Sequence, residues 1–353
     1  MMDLKARDMT ELERMRQRAE LPHSFAELKA HNKEAGVQIR LAPLAGVSDS
    51  AYRTMARLGG ASTTCTEMIS VAGLWHKSRV SYRLFEPGPF EEKLGVQLFG
   101  RDPDQFSYAA ETVIQKLQNS LLYLDINMAC PVRKVVRKGE GAALLKDPEQ
   151  ALMIVSSVRK VCPRHIPLSV KLRLGYDEAH KITPSFLSEL SACGVSSATV
   201  HGRLATQLYR GTSAIEEVAD LARTSALPIF VSGDMLSPLD IAKAVQTDCF
   251  AGVYVARGSL GNPWIFSDAL YALRKTLPPQ RSLKGKLNAL KLHLRLMRLS
   301  CSNVGRARLI TLNYLKEFSG ASRARARVSS LNTWDEYDQF VDSLIHAVEV
   351  QDA

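Results

Sequence analysis

The sequence predicts a (β/α)8 TIM barrel followed by a C-terminal helical domain. Three observations lead there. Between residues 37 and 262, eight short apolar runs alternate with helix-like stretches. Several of those stretches open with proline after Asp, Thr or Ser, a helix-start signal. The loop after the first run, Ala42-Pro43-Leu44-Ala45-Gly46-Val47, lacks the glycine spacing that an open doubly wound sheet brings for a dinucleotide. Gly139-Glu140-Gly141 lacks the third glycine as well.

The runs are Val37–Leu44, Ser62–Met68, Lys93–Phe99, Leu121–Met128, Pro167–Leu174, Ser197–His201, Leu227–Val231 and Phe250–Ala256. Strands rich in Val, Ile and Leu that alternate with helices argue for a parallel sheet, and eight of them for a closed barrel. Each run reads as apolar until its last residues. Helices are expected at Pro103–Gln118, Pro148–Val161, Pro184–Cys193, Ile215–Ser225 and Pro238–Val245. Residues 1–36 read as a helical extension in which Thr10/Glu13 and Ser24/Glu27 match the capping-box pattern. Beyond about 270 the pattern is helical, with Leu287, Leu290, Leu294 and Met297 at helical spacing, and Pro278-Pro279 marks a boundary. The expected division is 1–36, 37–269 and 270–353.

A chain of 353 residues suits a barrel with an accessory domain, and 46% hydrophobic with 23% charged residues excludes large-scale disorder. No apolar run approaches the roughly 18 residues of a membrane helix, and Met1–Gly36 has no apolar signal core. A cytoplasmic protein with no membrane partner is expected. No obligate protein partner is evident, and a monomer is expected. The six cysteines form no CxxC pair and the eight histidines show no zinc spacing, so neither a disulfide framework nor a metal site is expected.

The net charge of +10 is unevenly spread. Residues 271–330 hold 14 Lys and Arg against one acidic residue, Glu317, whereas residues 331–353 hold six acidic residues and no Lys or Arg. This asymmetry points to a polyanionic partner for 271–330. Arg323, Arg325 and Arg327 alternate with alanine there, and on an extended loop they would project together as a backbone-tracking strip.

A barrel of this type carries its active site at the C-terminal ends of the strands. Polar residues gather at those ends: Gln97, then Asp125, Asn127 and Cys130, then Lys171 and Arg173, His201 and Arg203, Ser232, Gly233 and Asp234, and Ala256, Arg257 and Gly258. Six adjacent strand ends with functional side chains are hard to attribute to stability. The last two loops suit a phosphate, since barrels bind phosphate after strands seven and eight, glycine permits close backbone approach and Arg257 offers a planar fork.

Pro43-Leu-Ala-Gly-Val-Ser-Asp49, Thr66-Glu-Met68, Gly95-Val-Gln-Leu-Phe-Gly100, Asp125-Ile-Asn-Met-Ala-Cys-Pro131, Val170-Lys-Leu-Arg173, Val200-His-Gly-Arg203, Ser232-Gly-Asp234 and Ala256-Arg-Gly-Ser-Leu-Gly-Asn-Pro-Trp-Ile-Phe266 follow in this order. Together they resemble the tRNA-dihydrouridine synthase family, with the B-type bacterial branch most similar. The resemblance implies FMN bound by Pro43, Leu44, Ala45, Gln97, Lys171, His201, Ser232, Gly233, Asp234, Ala256 and Arg257, with Cys130 as proton donor and NADPH as reductant. It implies tRNA as the partner, with the C-terminal helices helping to hold it. Asn127, Arg173 and Arg203, with Arg323, Arg325 and Arg327, are the candidate substrate and RNA contacts.

The sequence departs from the family pattern at Ala129, where glycine precedes the cysteine, at Ser232, where asparagine is usual, and at Gly139–Ala143. An Arg-Lys-His-type helix is replaced by Arg308-Leu-Ile-Thr-Leu-Asn-Tyr314. The expected reaction is reduction of the C5–C6 bond of a D-loop uridine in tRNA. The alternatives are a small-molecule FMN dehydrogenase on the same barrel, a synthase acting on rRNA, and a non-catalytic RNA-binding protein on a degenerate barrel.

Overall fold

The computed structural model describes residues 6–27, 37–316 and 321–351. Eight parallel strands form one sheet: β1 (Ile39–Leu41), β2 (Cys65–Ser70), β3 (Leu94–Phe99), β4 (Leu121–Met128), β5 (Leu168–Gly175), β6 (Ser197–Leu204), β7 (Ile229–Ser232) and β8 (Gly252–Val255). Their order is β1-β8-β7-β6-β5-β4-β3-β2. The two ends of this ladder meet: Leu41 N donates to Thr63 O at 3.0 Å and Ser62 N to Ile39 O at 2.8 Å. The sheet is therefore a nearly closed barrel. All eight apolar runs became strands.

The helices between the strands start where the sequence signals them. Asp102, Asp147, Thr183 and Ser237 each accept a backbone N–H of the first helical turn, each followed by proline, and open Pro103–Leu117, Pro148–Val161, Pro184–Ala192 and Pro238–Gln246. The cap satisfies a donor that the turn cannot, and proline has no donor to lose.

One expectation is corrected. The strands are not apolar up to their last residues; they alternate. Leu124, Ile126 and Met128, or Leu168, Val170 and Leu172, are buried in the main apolar core beneath the outer helices. Tyr123, Asp125 and Asn127, or Ser169, Lys171 and Arg173, face the other way, into the barrel lumen, because successive side chains point to opposite faces. The register lines up Gln97 with Asp125 and Ser169, Asn127 with Lys171, and Arg173 with His201 and Ser232. Lower in the lumen, Ala42, Phe230 and Tyr254 form a separate apolar cluster, and the Arg40 guanidinium lies 4.0 Å from the Phe230 ring.

The C-terminal part is helical: Leu283–Leu299, Gly305–Tyr314, Ala321–Val328 and Trp334–Gln351. Leu287, Leu290, Leu294 and Met297 are buried as their spacing requires. The first and last of these helices pack together, and the N-terminal helix Ala6–Arg18 also packs on the first. Glu20 ties the two regions, accepting from Ser282 Oγ at 2.7 Å, while its carbonyl accepts from Trp264 Nε1 at 3.0 Å. Thr10 lies inside the Ala6–Arg18 helix and not at its start, where a capping box would place it. Ser24 and Glu27 do bond reciprocally, at 3.2 and 2.6 Å, but residues 28–36 that would follow lie outside the described residues.

A buried ion pair braces the loop after β1. Arg53 donates to both oxygens of Glu91 at 2.6 and 2.7 Å and to Ser48 O at 2.8 Å. Both side chains are at most 4% exposed. Glu91→Ala would leave the guanidinium buried without its counter-charge. It should cost roughly 3–5 kcal/mol in urea unfolding; a loss under about 1 kcal/mol would mean that water reaches this pair.

Candidate active site at the barrel mouth

Two networks share the C-terminal mouth. The first runs across β3, β4 and β5. Gln97 Nε2 donates to Asp125 Oδ2 at 2.6 Å, and Gln97 Oε1 accepts from Asn127 Nδ2 at 2.8 Å. Asn127 Oδ1 accepts the backbone N–H groups of Ala129 at 3.1 Å and Cys130 at 2.9 Å. Ser169 Oγ donates to Asp125 Oδ1 at 2.6 Å. Cys130 thus sits on a loop fixed from below. The loop is backed by Gly141, at φ +60°, where a Cβ would press on the carbonyl and Cβ of Cys130; Ala142 N donates to Cys130 O at 3.0 Å. Burial pushes the Cys130 thiol above its ordinary pKa, against the pull of Arg173 and Lys171.

The second network spans β5 to β8 and is cationic. Arg203 Nη2 donates to Asp234 Oδ2 at 2.6 Å and Arg257 Nη2 to Asp234 Oδ1 at 3.0 Å. Burial alone would raise the Asp234 pKa, but the bonds from Arg203 and from Ser213 N–H outweigh it and hold the carboxylate below its usual range. His201 is pushed down to about 2 by burial and by Lys171, Arg173, Arg203 and Arg257. It is neutral. Its Nε2 stands 3.3 Å from Arg203 Nη1, which can only donate, so the ring proton is on Nδ1. Lys171, buried and beside Arg173, is lowered to about 8. A buried mouth with this surplus of positive charge is an anion site.

The backbone suits the same ligand. Gly233, at φ +116°, is a place where a Cβ would collide with Ser213 Oγ and crowd His201. Ser213 Oγ is buried and has no hydrogen-bond partner among the described residues. The N–H groups of Asp234, Arg257 and Gly258 likewise meet no acceptor among the described residues. Donors converging from two loops beside a guanidinium fit a phosphate group. The loop Pro43-Leu44-Ala45 borders this cradle, held by Ala42 N to Val255 O at 2.8 Å and Leu44 N to Ser48 Oγ at 2.9 Å. Ala256 follows Val255, and Ser232 is 3% exposed at the end of β7.

Gln97, Asn127, Cys130, Lys171, His201, Ser232, Gly233, Asp234 and Arg257 thus come together at one mouth. Arg173 and Arg203 are placed differently from a surface contact. They are 2% and 1% exposed. Arg173 donates to the carbonyls of Ala129, Leu204 and Leu208, and Arg203 to those of Arg210 and Gly211. Both brace loops. Sequence reasoning missed Ser169, Ser213, Gly141 and Tyr209. Tyr209 is 57% exposed, with the guanidinium groups of Arg173 and Arg257 at 5.6 and 5.3 Å from its ring. The period-two pattern around Asp125 and Ser169 carried a signal for the lumen; nothing local marked Ser213 or Tyr209.

Arg323, Arg325 and Arg327 lie on a helix, Ala321–Val328, and not on an extended loop. Ala324 and Val328 face inward four residues apart, and all three arginines are exposed. Part of the basic segment is answered within the chain: Lys284 pairs with Glu349 at 2.7 Å, Lys291 with Asp342 at 2.5 Å, and Arg298 with Asp335 at 2.9 Å and Asp338 at 3.4 Å. Among the described residues, Arg274, Lys275, Lys316, Arg323 and Arg327 form no ion pair with an acidic side chain.

A parallel eight-strand barrel with a cationic mouth that fits a phosphate group is the framework of a barrel that takes a phosphorylated ligand. Comparison narrows the class: the chain matches the dihydrouridine synthase (Dus) family over residues 40–349, and it belongs to that family. It is 32% identical over 262 residues to a probable tRNA-dihydrouridine synthase of Treponema pallidum, covering 72% of this chain and 76% of that one. It is 32% identical to tRNA-dihydrouridine synthase B of Pseudomonas putida, covering 66% and 68%, and 29% identical to a probable tRNA-dihydrouridine synthase 1 of Synechocystis, covering 93% and 91%. Among solved structures, histamine dehydrogenase from Rhizobium sp. 4-9 matches with a TM-score of 0.52 at 11% identity, covering 73% of this chain and 49% of that one. A 2-naphthoyl-CoA reductase matches at 0.50 and 11%, covering 67% and 50%. At that identity these two show the shared barrel alone. No helix among the described residues is long and apolar enough to cross a membrane.

Lys171 yields a pH prediction for the protein without bound anion. Its pKa falls from an ordinary 10.5 to about 8, so between those values the unfolded chain holds the proton that the folded chain has released. Stability contributed at this site therefore rises with pH across that window, and below it the buried charge is a cost. Lys171→Met should be more stable than the parent at pH 7, by up to ~3 kcal/mol, with the gap closing towards pH 10.5 in urea unfolding. A gap independent of pH would mean that Lys171 is solvated.

Proposed function

We propose that this chain reduces the C5–C6 double bond of uridine in the D-loop of tRNA to 5,6-dihydrouridine, with FMN as cofactor and NADPH as reductant. The juxtaposition of the phosphate-shaped cradle with the Cys130 loop, at one barrel mouth, carries the reading. The residues fit FMN: the Gly233 cradle, Ser213 Oγ without a partner among the described residues, and the open N–H groups of 234, 257 and 258 suit its phosphate. Pro43, Leu44, Ala45, Gln97, Lys171, His201, Ser232, Asp234, Ala256 and Arg257 would line the rest. FMN, when bound, supplies the hydride that no side chain can.

The chain supplies everything else. Cys130 holds a proton at neutral pH, because burial raises its pKa, and donates it to the second carbon of the reduced bond. Lys171 stabilises negative charge that develops on the base or flavin. Arg173 holds the Cys130 loop through the Ala129 carbonyl and the Leu204–Leu208 segment. Arg203 keeps Asp234 and His201 in place. Asn127 meets the uracil edge or holds the loop that does. The uridine must leave its stack, at a cost of a few kcal/mol, and backbone contacts along the helices offset it. The reaction then belongs to residues 37–269 and RNA anchoring to 270–353, while the helix Ala6–Arg18 buttresses the latter.

Cys130→Ala should leave flavin reduction by NADPH within about twofold, because that half-reaction needs no proton for uracil. Dihydrouridine formation should fall by roughly 10²–10⁴. Equal losses in both halves of a stopped-flow assay would make Cys130 structural. Dihydrouridine mapping of tRNA and rRNA from a deletion strain tests the reaction itself, and loss from rRNA alone would replace the substrate.

The RNA surface gives a second test. Arg323 and Arg327 lie on neighbouring positions of one helical face. Reversing both to Glu should weaken binding to all tRNA species and flatten the dependence of log affinity on log salt by about two contacts' worth of counterions. An unchanged salt slope would leave these arginines as a solvated face.

A further inference from the structure

The lumen contains a hydrogen-bond relay whose polarity is fixed from one end. The N–H groups of Ala129 and Cys130 can only donate, so the atom of Asn127 that faces them must be its oxygen. Asn127 Nδ2 must then donate to Gln97, Gln97 Oε1 must accept, and Gln97 Nε2 must in turn donate to residue 125. Only an acceptor completes the chain there. Asp125 supplies it, 5% exposed and anchored on its other oxygen by Ser169 Oγ at 2.6 Å. Each amide between Asp125 and the loop has one orientation that satisfies both neighbours and one that sets like against like.

We infer that Asp125 is a positioning residue for Cys130: as the acceptor that ends the relay it holds Gln97 and, through Asn127, the loop that carries the thiol. Asp125 touches neither the loop nor the cradle. It acts three hydrogen bonds away, and its effect on chemistry passes through loop placement. The inference rests on Cys130 being the proton donor only for its consequence on the reaction. The relay itself stands on the geometry.

The relay can be reversed. With Asn127→Asp the carboxylate still accepts the loop N–H groups, but its second oxygen meets Gln97 Oε1; if Gln97 turns over, its oxygen meets Asp125 instead. One repulsive contact remains in either case. With Asp125→Asn alone the loop still orients Asn127 and Gln97, the new amide oxygen accepts from Gln97, and Ser169 Oγ turns to accept from the new amide nitrogen, so the relay survives; Asp125→Leu removes the acceptor altogether. In the double variant Asp125→Asn/Asn127→Asp, Gln97 turns over. It then donates to the new carboxylate at position 127 and accepts from the new amide at position 125, whose oxygen still accepts from Ser169. Every partner is satisfied with the charge moved from one end to the other.

Three measurements on the flavin-loaded protein decide it: backbone amide exchange at Ala129 and Cys130, the rate of Cys130 alkylation by iodoacetamide resolved by peptide mass, and dihydrouridine formation in tRNA. Asn127→Asp and Asp125→Leu should each speed amide exchange at 129–130 by about tenfold or more, shift the alkylation rate, and lower dihydrouridine formation by up to ~10², the scale of a 1 Å misplacement, whereas Asp125→Asn should keep parental exchange. The double variant should return amide exchange and alkylation to within about tenfold of the parent. A double variant whose exchange is no better than that of Asn127→Asp alone, or an Asp125→Leu protein with parental exchange, overturns the relay. If a single variant does not accumulate but the double does, the relay is supported. If none accumulates, Asn127→Ala decides, since it removes the acceptor but leaves Gln97 paired to Asp125: retained protection at Cys130 N–H overturns the relay, and lost protection supports it. A parent that makes no dihydrouridine while exchange and alkylation follow the pattern would refute the proposed reaction and leave the relay standing.

Discussion

A closed barrel forces each strand to present alternate side chains to an enclosed lumen, and the groups placed there must satisfy one another. This constraint governs the site. In most parallel barrels the lumen is filled by branched apolar residues in layers. Here the layers near the mouth are polar, and their cost is met by mutual pairing: Ser169 and Gln97 donate to Asp125, and Asn127 donates to Gln97. Asp125 is the anion of this interior. Burial raises its pKa, while Gln97, Ser169, Lys171 and Arg40 oppose that rise. A buried carboxylate with satisfied oxygens and cations above and below it is tolerable; an unpaired one is not.

The positive side of the mouth is less fully answered. Arg203 and Arg257 share one carboxylate, Asp234. Arg173 is satisfied by carbonyls that carry no net charge, and Lys171 makes no ion pair among the described residues. The fold thus buries several cations close together, and burial first and their mutual repulsion second lower the pKa of His201 and Lys171. Such an arrangement is a reservoir of destabilisation that a bound anion relieves, so stability and ligand affinity at this mouth are two views of one electrostatic term. It also explains why the cradle is built from backbone. Glycine at 233 and open N–H groups bring donors close without further charge.

Much of this was legible in the sequence. All eight strands and the proline-led helices were, because period, apolar content and caps are local properties. The strand-end residues were too, since a barrel fixes where strand ends go. The lumen was read less well. A fully buried strand looks like a continuous apolar run until one asks which face each residue takes, and Tyr123-x-Asp125-x-Asn127 held that answer in its spacing. The strongly basic balance of residues 271–330 was misleading in a specific way. Local charge density cannot show that the helix Trp334–Gln351 folds back and pairs Glu349, Asp342 and Asp335 with Lys284, Lys291 and Arg298. Exposed pairs of this kind contribute little stability each, but they subtract from the surface left for a polyanion. Ser213 and Tyr209 were not legible at all: they come from a loop after β6, and only the folded chain brings them beside Gly233, Arg173 and Arg257.

The helical region is not a loose appendage of this mouth. Arg306, from the helix Gly305–Tyr314, donates to Glu67 Oε1 at 2.6 Å, and the other oxygen of Glu67 accepts Gly46 N–H at 2.5 Å. Ser302 Oγ donates to Asp49 Oδ2 at 2.8 Å. Gly46 and Asp49 belong to the loop after β1, which borders the cradle. One carboxylate, 5% exposed, therefore registers a helix of the basic region against the wall of the active site. An RNA held on those helices would be held at a fixed distance from Cys130. Position along the RNA would be measured by the spacing between helix and barrel, and chemistry would follow at whichever uridine that spacing delivers.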